Sequence, residues 1–313
     1  MRSQAPLSRC RGSLLVTRIK ETPSLAGSVV PRAGSCSRPP EGRHSRPSAT
    51  VGRRRPVVER ADDDAYGQLL LEGHRGHPVV ETLEREDGYL YCSSEEAASR
   101  FSVYREWPGY ERQAMTYARG RVLDIGCGAG RAALYLQNCG MEVVGIDASP
   151  LAVDVAQERG VRDACVLSVA SIRSELGRFD TFLLLGNNFG VFGSVRGARA
   201  TLRKLGRLAR PEARIIAAAA SPYAQSDPHE LAYQSWNRAR GRMPGQMRVR
   251  VRYTYYTSAW FDWLFVSREE LDEIVRGTGW RVSATLEGPI PNFIVVLEPL
   301  KRGLEVFAKP DRG

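Results

Sequence analysis

The stretch Arg121–Pro150, RVLDIGCGAGRAALYLQNCGMEVVGIDASP, constrains the chain more than any other. Val122–Ile125 is a short apolar run broken only by Asp124, as a buried strand would be. Gly126, Gly128 and Gly130 follow at alternate positions. Arg131–Asn138 then has helical spacing, with Ala133, Leu134 and Leu136 apolar and Gly140 placed as a C-cap. Met141–Ile146 reads as a second strand, and Asp147 stands at its carboxyl end. Strand, glycine turn, helix, strand and acid make half of a nucleotide-binding α/β unit.

The glycines have separable physical roles. A chain turning sharply from strand to helix needs backbone angles that a Cβ hinders, and a ligand lying on that turn needs bare backbone. An acid about twenty residues further on, at the end of the next strand, can accept from both hydroxyls of a ribose. The dinucleotide fingerprint G-x-G-x-x-G does not fit, because Gly130 comes one residue too early. The pattern is instead Asp-x-Gly-x-Gly-x-Gly, Asp124 to Gly130, and an acid just ahead of the turn suits a ligand with a cationic amino group. S-adenosylmethionine carries such a group together with a ribose and an adenine. VLDIGCGAGR followed by VVGIDASP resembles the first two cofactor motifs of class I S-adenosylmethionine-dependent methyltransferases. The competing readings are a structural glycine turn or an NAD-type unit. The resemblance implies an α/β, Rossmann-like, doubly wound and mostly parallel seven-stranded sheet. Helices would lie on both faces, with an antiparallel hairpin at the C-terminal end. It also implies S-adenosyl-L-methionine as cofactor, with contacts from Asp124, Gly126, Cys127, Gly128, Gly130, Asp147 and Ala148.

The net charge of +10 suggests nucleic acid until its distribution is followed. Residues 1–60 carry 13 Lys and Arg against 3 Asp and Glu, whereas residues 61–313 balance at 32 of each. The excess thus lies in an Arg-, Ser-, Pro- and Gly-rich leader expected to be disordered. This leader reads as a transit peptide, as a basic arm for anionic surfaces, or as sequence upstream of a natural start near Val51, Val57 or Val58. Six cysteines without a CxxC pair suit a reducing compartment, and the expected location is the cytoplasm, or an organelle if the leader is a transit peptide. No apolar run reaches the roughly 18 residues that cross a bilayer.

The chain divides into a leader (1–60), N-terminal cap helices (61–118), a methyltransferase domain (119–300) with an insertion or lid at 221–258, and a tail (301–313). In the cap, Ser94–Arg100 reads as a helix capped by Ser93 or Ser94, and Pro108–Arg119 as a second. Between them and the start, Thr82–Leu90 is charged, with a turn at Asp87–Gly88. Tyr89, Tyr91, Tyr104, Trp107 and Tyr110 either pack on the core or wall the site. His74 and His77 lie three apart, but without Cys or further His nearby they predict no metal site. Relatives place an acid after the third strand to accept from adenine; here Ser168–Ser171 has none, and Ser171 is the substitute. Phe179–Leu185 is the fourth strand, buried on both faces. It ends in Gly186-Asn187-Asn188, which resembles the GNN-type fourth motif of some bacterial methyltransferases. That places Asn187 toward the methyl-donor end, with Asn188 either a turn residue or a contact. The loop lacks the prolines of amino-group methylases acting on adenine. Met247–Tyr256 alternates Arg248, Arg250 and Arg252 with Val249 and Val251, a strand with one wet face.

Methyl transfer from a sulfonium is an in-line displacement, so the protein chiefly aligns the nucleophile and excludes water. A base is required only for a protonated acceptor. His229 in the insertion and Asp262 among aromatics are the candidates; a surface histidine and a structural ion pair are the plainer readings. The strand arginines would hold an anionic acceptor or simply be paired. The expected function is methyl transfer to a small molecule. The alternatives are modification of RNA or protein, and cofactor binding without turnover. A neutral folded region weighs against a nucleic-acid partner.

Overall fold

The computed structural model describes residues 63–224 and 226–300. The expected leader and tail lie outside the described residues. The chain opens with α1 (Ala65–His74), β1 (Glu81–Arg85), β2 (Leu90–Ser93), α2 (Ser94–Ser99) and α3 (Gly109–Met115). Next come β3 (Arg121–Ile125), α4 (Arg131–Asn138), β4 (Glu142–Asp147), α5 (Pro150–Glu158), β5 (Ala164–Val166), β6 (Phe179–Leu184), α6 (Val195–Leu208) and β7 (Ala209–Ala220). The last stretch holds α7 (Pro228–Ala239), β8 (Gln246–Tyr253), β9 (Tyr256–Thr257), β10 (Phe261–Leu264), α8 (Arg268–Val275), β11 (Trp280–Glu287) and β12 (Asn292–Pro299).

Seven strands form one sheet in the order β11-β12-β7-β6-β3-β4-β5. β3 to β7 run parallel, while β12 is antiparallel to β7 and β11 to β12. This is the mostly parallel sheet with a C-terminal hairpin that the motifs imply. The chain winds outward from β3 through β4 to β5, then restarts at β6 on β3's other side and continues to β7. The switch point therefore lies between β3 and β6, and the crevice beyond their carboxyl ends is where such sheets hold ligands. The central parallel strands are mostly apolar because helices cover both faces. Leu202 and Leu205 of α6 pack with Leu271 and Ile274 of α8 against Phe179 and Phe182 on one face. Met115, Ala133, Leu136, Val153 and Ala156, from α3, α4 and α5, cover the other.

Caps set the helix starts. Ser93, Ser149, Ser194 and Ser267 each accept from a backbone N–H in the first turn, of Glu96, Ala152, Gly197 and Glu270 respectively. Pro150 follows its cap at a position where a missing N–H is harmless.

A second, antiparallel sheet stands beside the first, in the order β10-β8-β1-β2 with β9 on β8. Its strands come from two distant segments. β1 and β2 form a hairpin inside the stretch expected to be cap helices, turning at Asp87–Gly88. β8 and β10 belong to the insertion and its continuation, and β8 pairs with β1 residue for residue, Thr82 with Arg252 and Arg85 with Val249. Val249 and Val251 are buried, whereas Arg248 and Arg252 on the other face are exposed. The cap is thus part helix and part hairpin, and the insertion's strand partners it. The cause is hydrogen bonding: two lone strands leave their ladder groups open, and pairing closes them.

Candidate active site

The glycine loop leaves β3 and is held from below. Gly126 and Cys127 both donate to Ile146 O, at 2.8 and 3.0 Å. Asn188 Nδ2 reaches under the loop to Ile125 O (3.0 Å) and Gly126 O (2.9 Å). Gly126 has φ +72°, and a Cβ there would lie 2.5 Å from that Asn188 nitrogen, so glycine is required on two counts. Asn188 is therefore a turn-locking residue. Gly130 does different work. A Cβ on it would meet Val161 Cγ2 at 2.5 Å, so its bareness serves the packing of α4 on α5. The Cys127 thiol points inward against Gly145, and burial pushes its pKa up. Of the residues expected to cradle the cofactor, Gly130 and the Cys127 side chain thus face the core, because the turn alternates between cleft and sheet.

Two carboxylates remain at the crevice. Asp124 is 3% exposed, and its Oδ2 is buried with no hydrogen-bond partner. Burial, then the charge of Asp147, pushes its pKa up to about 7, against the pull of Arg131 and the Ala133 N–H on the first turn of α4. Asp147 accepts from Gly128 N at 2.9 Å and from Ser149 N at 3.0 Å. Burial raises its pKa, and these two N–H groups oppose the rise. Ala148 beside it is exposed. Ser171 sits in a short turn after β5, its hydroxyl accepting from Ser168 at 3.0 Å.

The loop after β6 supplies the opposite wall. Asn187 adopts φ +64°, unusual for a residue with a Cβ, and its Oδ1 is buried without a partner. From above, α1 leans on the glycine loop. Asp64 caps α1, accepts from Ser149 Oγ at 2.8 Å and so ties α1 to the start of α5. The Tyr66 hydroxyl then comes within 3.0 Å of where a Cβ on Gly128 would stand. The second sheet closes over the same side: the Trp263 indole fills the space a Gly190 side chain would occupy.

A family model for a methyltransferase domain matches residues 122–212. A crystal structure of a Bacteroides fragilis S-adenosylmethionine-dependent methyltransferase, in complex with S-adenosyl-L-homocysteine, superposes with TM-score 0.65 and 26% identity. That match covers 77% of this chain and 96% of the other. Residues 122–212 thus form a methyltransferase domain of the class I fold, and S-adenosylmethionine is its cofactor. A 2-heptyl-1-hydroxyquinolin-4(1H)-one methyltransferase of Mycobacteroides abscessus is 39% identical over 70 residues, 20% of this chain and 31% of that protein. The putative methyltransferase YqeM of Bacillus subtilis is 25% identical over 113 residues, 35% of this chain and 45% of that protein. The chain thus spans less than half the length of the curated relatives it matches.

The two base candidates lie beyond residues 122–212, on α7 and β10. His229 is exposed on the first turn of α7, its ring 6.3 Å from Tyr89 near the hairpin turn. Asp262 pairs with Arg242 (3.4 Å) and Arg248 (3.6 Å). The strand arginines are likewise paired: Arg250 grips Glu84 at 2.8 and 3.0 Å, and Arg252 bonds the same carboxylate. These side chains therefore hold the second sheet together. The aromatics divide. Tyr104 stacks on Tyr135 at 3.9 Å with Trp107 edge-on, a packing cluster on α4. Tyr89 lies over Arg85, a buried cation held by Asp87 and Glu230 that docks α7 on the hairpin. His74 and His77 pair with Glu158 and Glu72. Sequence reasoning passed over Asp64, which ties α1 to α5, and Tyr66 and Arg100, which come close to Gly128 and Gly186 from outside the motif. Their one sequence signal is the N-cap pattern of Asp64 before an apolar helix.

Proposed function

We propose that the chain transfers the methyl group of S-adenosylmethionine to a small-molecule acceptor in the cytoplasm. The domain of residues 119–300 would bind the cofactor, with residues 61–118 and the 221–258 insertion covering the acceptor side. The observation that carries the reading is the Asp124 carboxylate, buried on the floor of the glycine loop with an unused oxygen. A cationic amino group is the natural partner for such an oxygen, and a buried acid left without one is costly. Asp147 keeps lone pairs free beyond its two backbone donors and would take ribose hydroxyls. Gly126 and Gly128 would give the backbone surface, and Ala148 and Ser171 would border the adenine.

The cofactor brings an already activated methyl group. The chain's contribution is then alignment and exclusion of water. Asn187, with its carbonyl oxygen unpartnered, would orient an acceptor N–H or O–H at the β6 end of the crevice. Trp263 and the second sheet would keep that end dry. A small acceptor is supported by the charge balance of residues 61–313 and by the similarity to a quinolone methyltransferase. The free thiols of Cys92, Cys127, Cys139 and Cys165 suit a reducing compartment. Among the described residues no helix is long and apolar enough to cross a membrane.

The test is to incubate the chain with S-adenosylmethionine labelled in its methyl group and three acceptor pools: small metabolites, RNA and protein. Label should enter the small-molecule fraction. Label entering RNA or protein instead would reject the acceptor class, and no transfer to any pool would reject turnover.

A further inference from the structure

We propose that the outward face of α7 is the interface of a twofold dimer, packed antiparallel against α7 of a second copy of the chain. A helix on the surface of a globular protein normally turns its apolar stripe inward and its polar side to water. α7 is turned the other way. Its inward residues are Glu230, Tyr233, Gln234 and Asn237, and each is held by a polar contact. Glu230 pairs with Arg85 at 2.7 Å, and the Tyr233 hydroxyl donates to Glu86 at 2.9 Å. Gln234 donates to Pro222 O at 2.8 Å, and Asn237 to Pro244 O and Gln246 O at 3.1 and 2.7 Å. The outward residues are Pro228, Leu231, Ala232, Ser235, Trp236 and Ala239, all exposed and none charged. Leu231 is 48% exposed and Trp236 43%. An apolar stripe of this kind marks a contact face rather than a solvated one.

What covers the stripe follows from its self-complementarity. A twofold contact needs a face that matches itself when turned by half a revolution. With the axis at the middle of α7, between Tyr233 and Gln234, Pro228 of one copy stands level with Ala239 of the other, and Ala232 with Ser235. These small residues form the seam and let the helix axes approach to about 8 Å. On one edge of the seam Trp236 meets the Trp236 of the other copy; on the other edge Leu231 meets Leu231. The Leu231 edge carries opposite charges at its two ends. Asp227 precedes the first turn and Arg238 lies in the last. In the antiparallel pair each Asp227 comes to within about 3 Å of rise of the other copy's Arg238, so both ends of this edge are matched in sign. Arg240 stacks on the Trp236 ring, 3.2 Å from its centroid, and donates to Glu86, so the indole is fixed before it is covered. One helix from each copy covers less than a standard interface, about 800 Å² per partner, so the dimer dissociates in the micromolar range. Because α7 is held to the β1–β2 hairpin through Arg85 and Glu86, the dimer also braces the second sheet.

The experiment is sedimentation of the full chain from about 1 to about 100 µM. The wild type should pass from monomer to dimer across that range. Leu231→Glu and Trp236→Glu each set two like charges against one another across the axis and should weaken association by about tenfold or more. Both side chains are exposed in the single copy, so the melting temperature of the monomer should hold. Engineered thiols read the register. Copies of residue 235 are offset by about 4.5 Å along the helix axis, and copies of residue 229 by about 13.5 Å. Ser235→Cys should therefore join two copies through a disulfide when diamide is added, and dithiothreitol should release them. His229→Cys should give no more cross-link than the wild type. A wild type that stays monomeric at the top of the range would overturn the proposal and leave the stripe to another occupant. A dimer unmoved by either glutamate would place the interface elsewhere and overturn it too. Cross-linking as strong through His229→Cys as through Ser235→Cys would overturn the antiparallel arrangement.

Discussion

At the level of single residues, Asp124 couples stability and cofactor affinity to pH. Its carboxyl titrates at about 7 in the folded chain against an ordinary 3.8, so folding takes up a proton between those values. Stability contributed by this group is therefore full below about pH 4 and is lost as pH rises toward 7. Asp124→Asn removes the charge and should raise the melting temperature of the ligand-free protein at pH 8, by about 1–3 kcal/mol of stability. The same substitution should weaken S-adenosylhomocysteine by about tenfold to a hundredfold, because the ammonium loses its partner. Wild-type affinity should also depend on pH. Binding a cation favours the carboxylate, so affinity should be full above about pH 7 and fall by up to about tenfold per unit below it. A flat affinity between pH 5.5 and 8 would show that Asp124 does not meet the ammonium. Residue by residue, the strand–turn–helix pattern already put Asp124, Gly126, Gly128 and Asp147 at the carboxyl ends of β3 and β4, where the structure has them. It did not disclose that Gly130 serves α5 or that Asn188 props the loop, because those depend on which neighbour lies underneath.

At the scale of elements, α1 and α5 are joined at a point with no spare room. A Cβ on Gly67 would lie 2.4 Å from both Asp64 Oδ2 and Ser149 Oγ and 2.6 Å from Leu151 Cβ. Gly67→Val should push α1 off α5 and destabilise the chain by about 1–3 kcal/mol. It should also weaken the cofactor, since Ser149 donates to Asp147 and Tyr66 covers Gly128. Denaturant unfolding and a titration check both effects. Stability lost without loss of affinity would mean that α1 is a passive cover. The helices and parallel strands were legible because each carries its own period and cap; α4 and its flanking strands are the clearest case. The hairpin of β1 and β2 was not. Glu81–Arg85, ETLER, is charged and too short to show alternation, and its partner β8 lies more than 150 residues away. Strand pairing at that separation leaves no local signal.

At the scale of the molecule, the N-terminal hairpin pairs with β8 and β10 to fold as one sheet. Arg85 to Glu230, Glu86 to Tyr233, and Arg250 to Glu84 all bridge the two segments. Disturbing one should therefore loosen the other. Leu83→Pro puts a proline in β1, the strand between β2 and β8, and removes the ladder donor that faces Tyr91 of β2. Amide exchange should then speed up in β8 and β10 while β3, β4 and β6 keep their protection. Exchange that stays slow in β8 would make the two segments independent. The +10 net charge belongs to the same scale: it resides in residues 1–60, and residues 61–313 carry 32 basic and 32 acidic side chains.

The most direct measurement is calorimetric titration of the chain with S-adenosylhomocysteine and, separately, NAD, repeated on Asp147→Ala. The sulfur ligand should bind in the micromolar range, weakened about tenfold or more by the substitution, and NAD should not bind. Binding of NAD, or S-adenosylhomocysteine affinity untouched by Asp147→Ala, would contradict this.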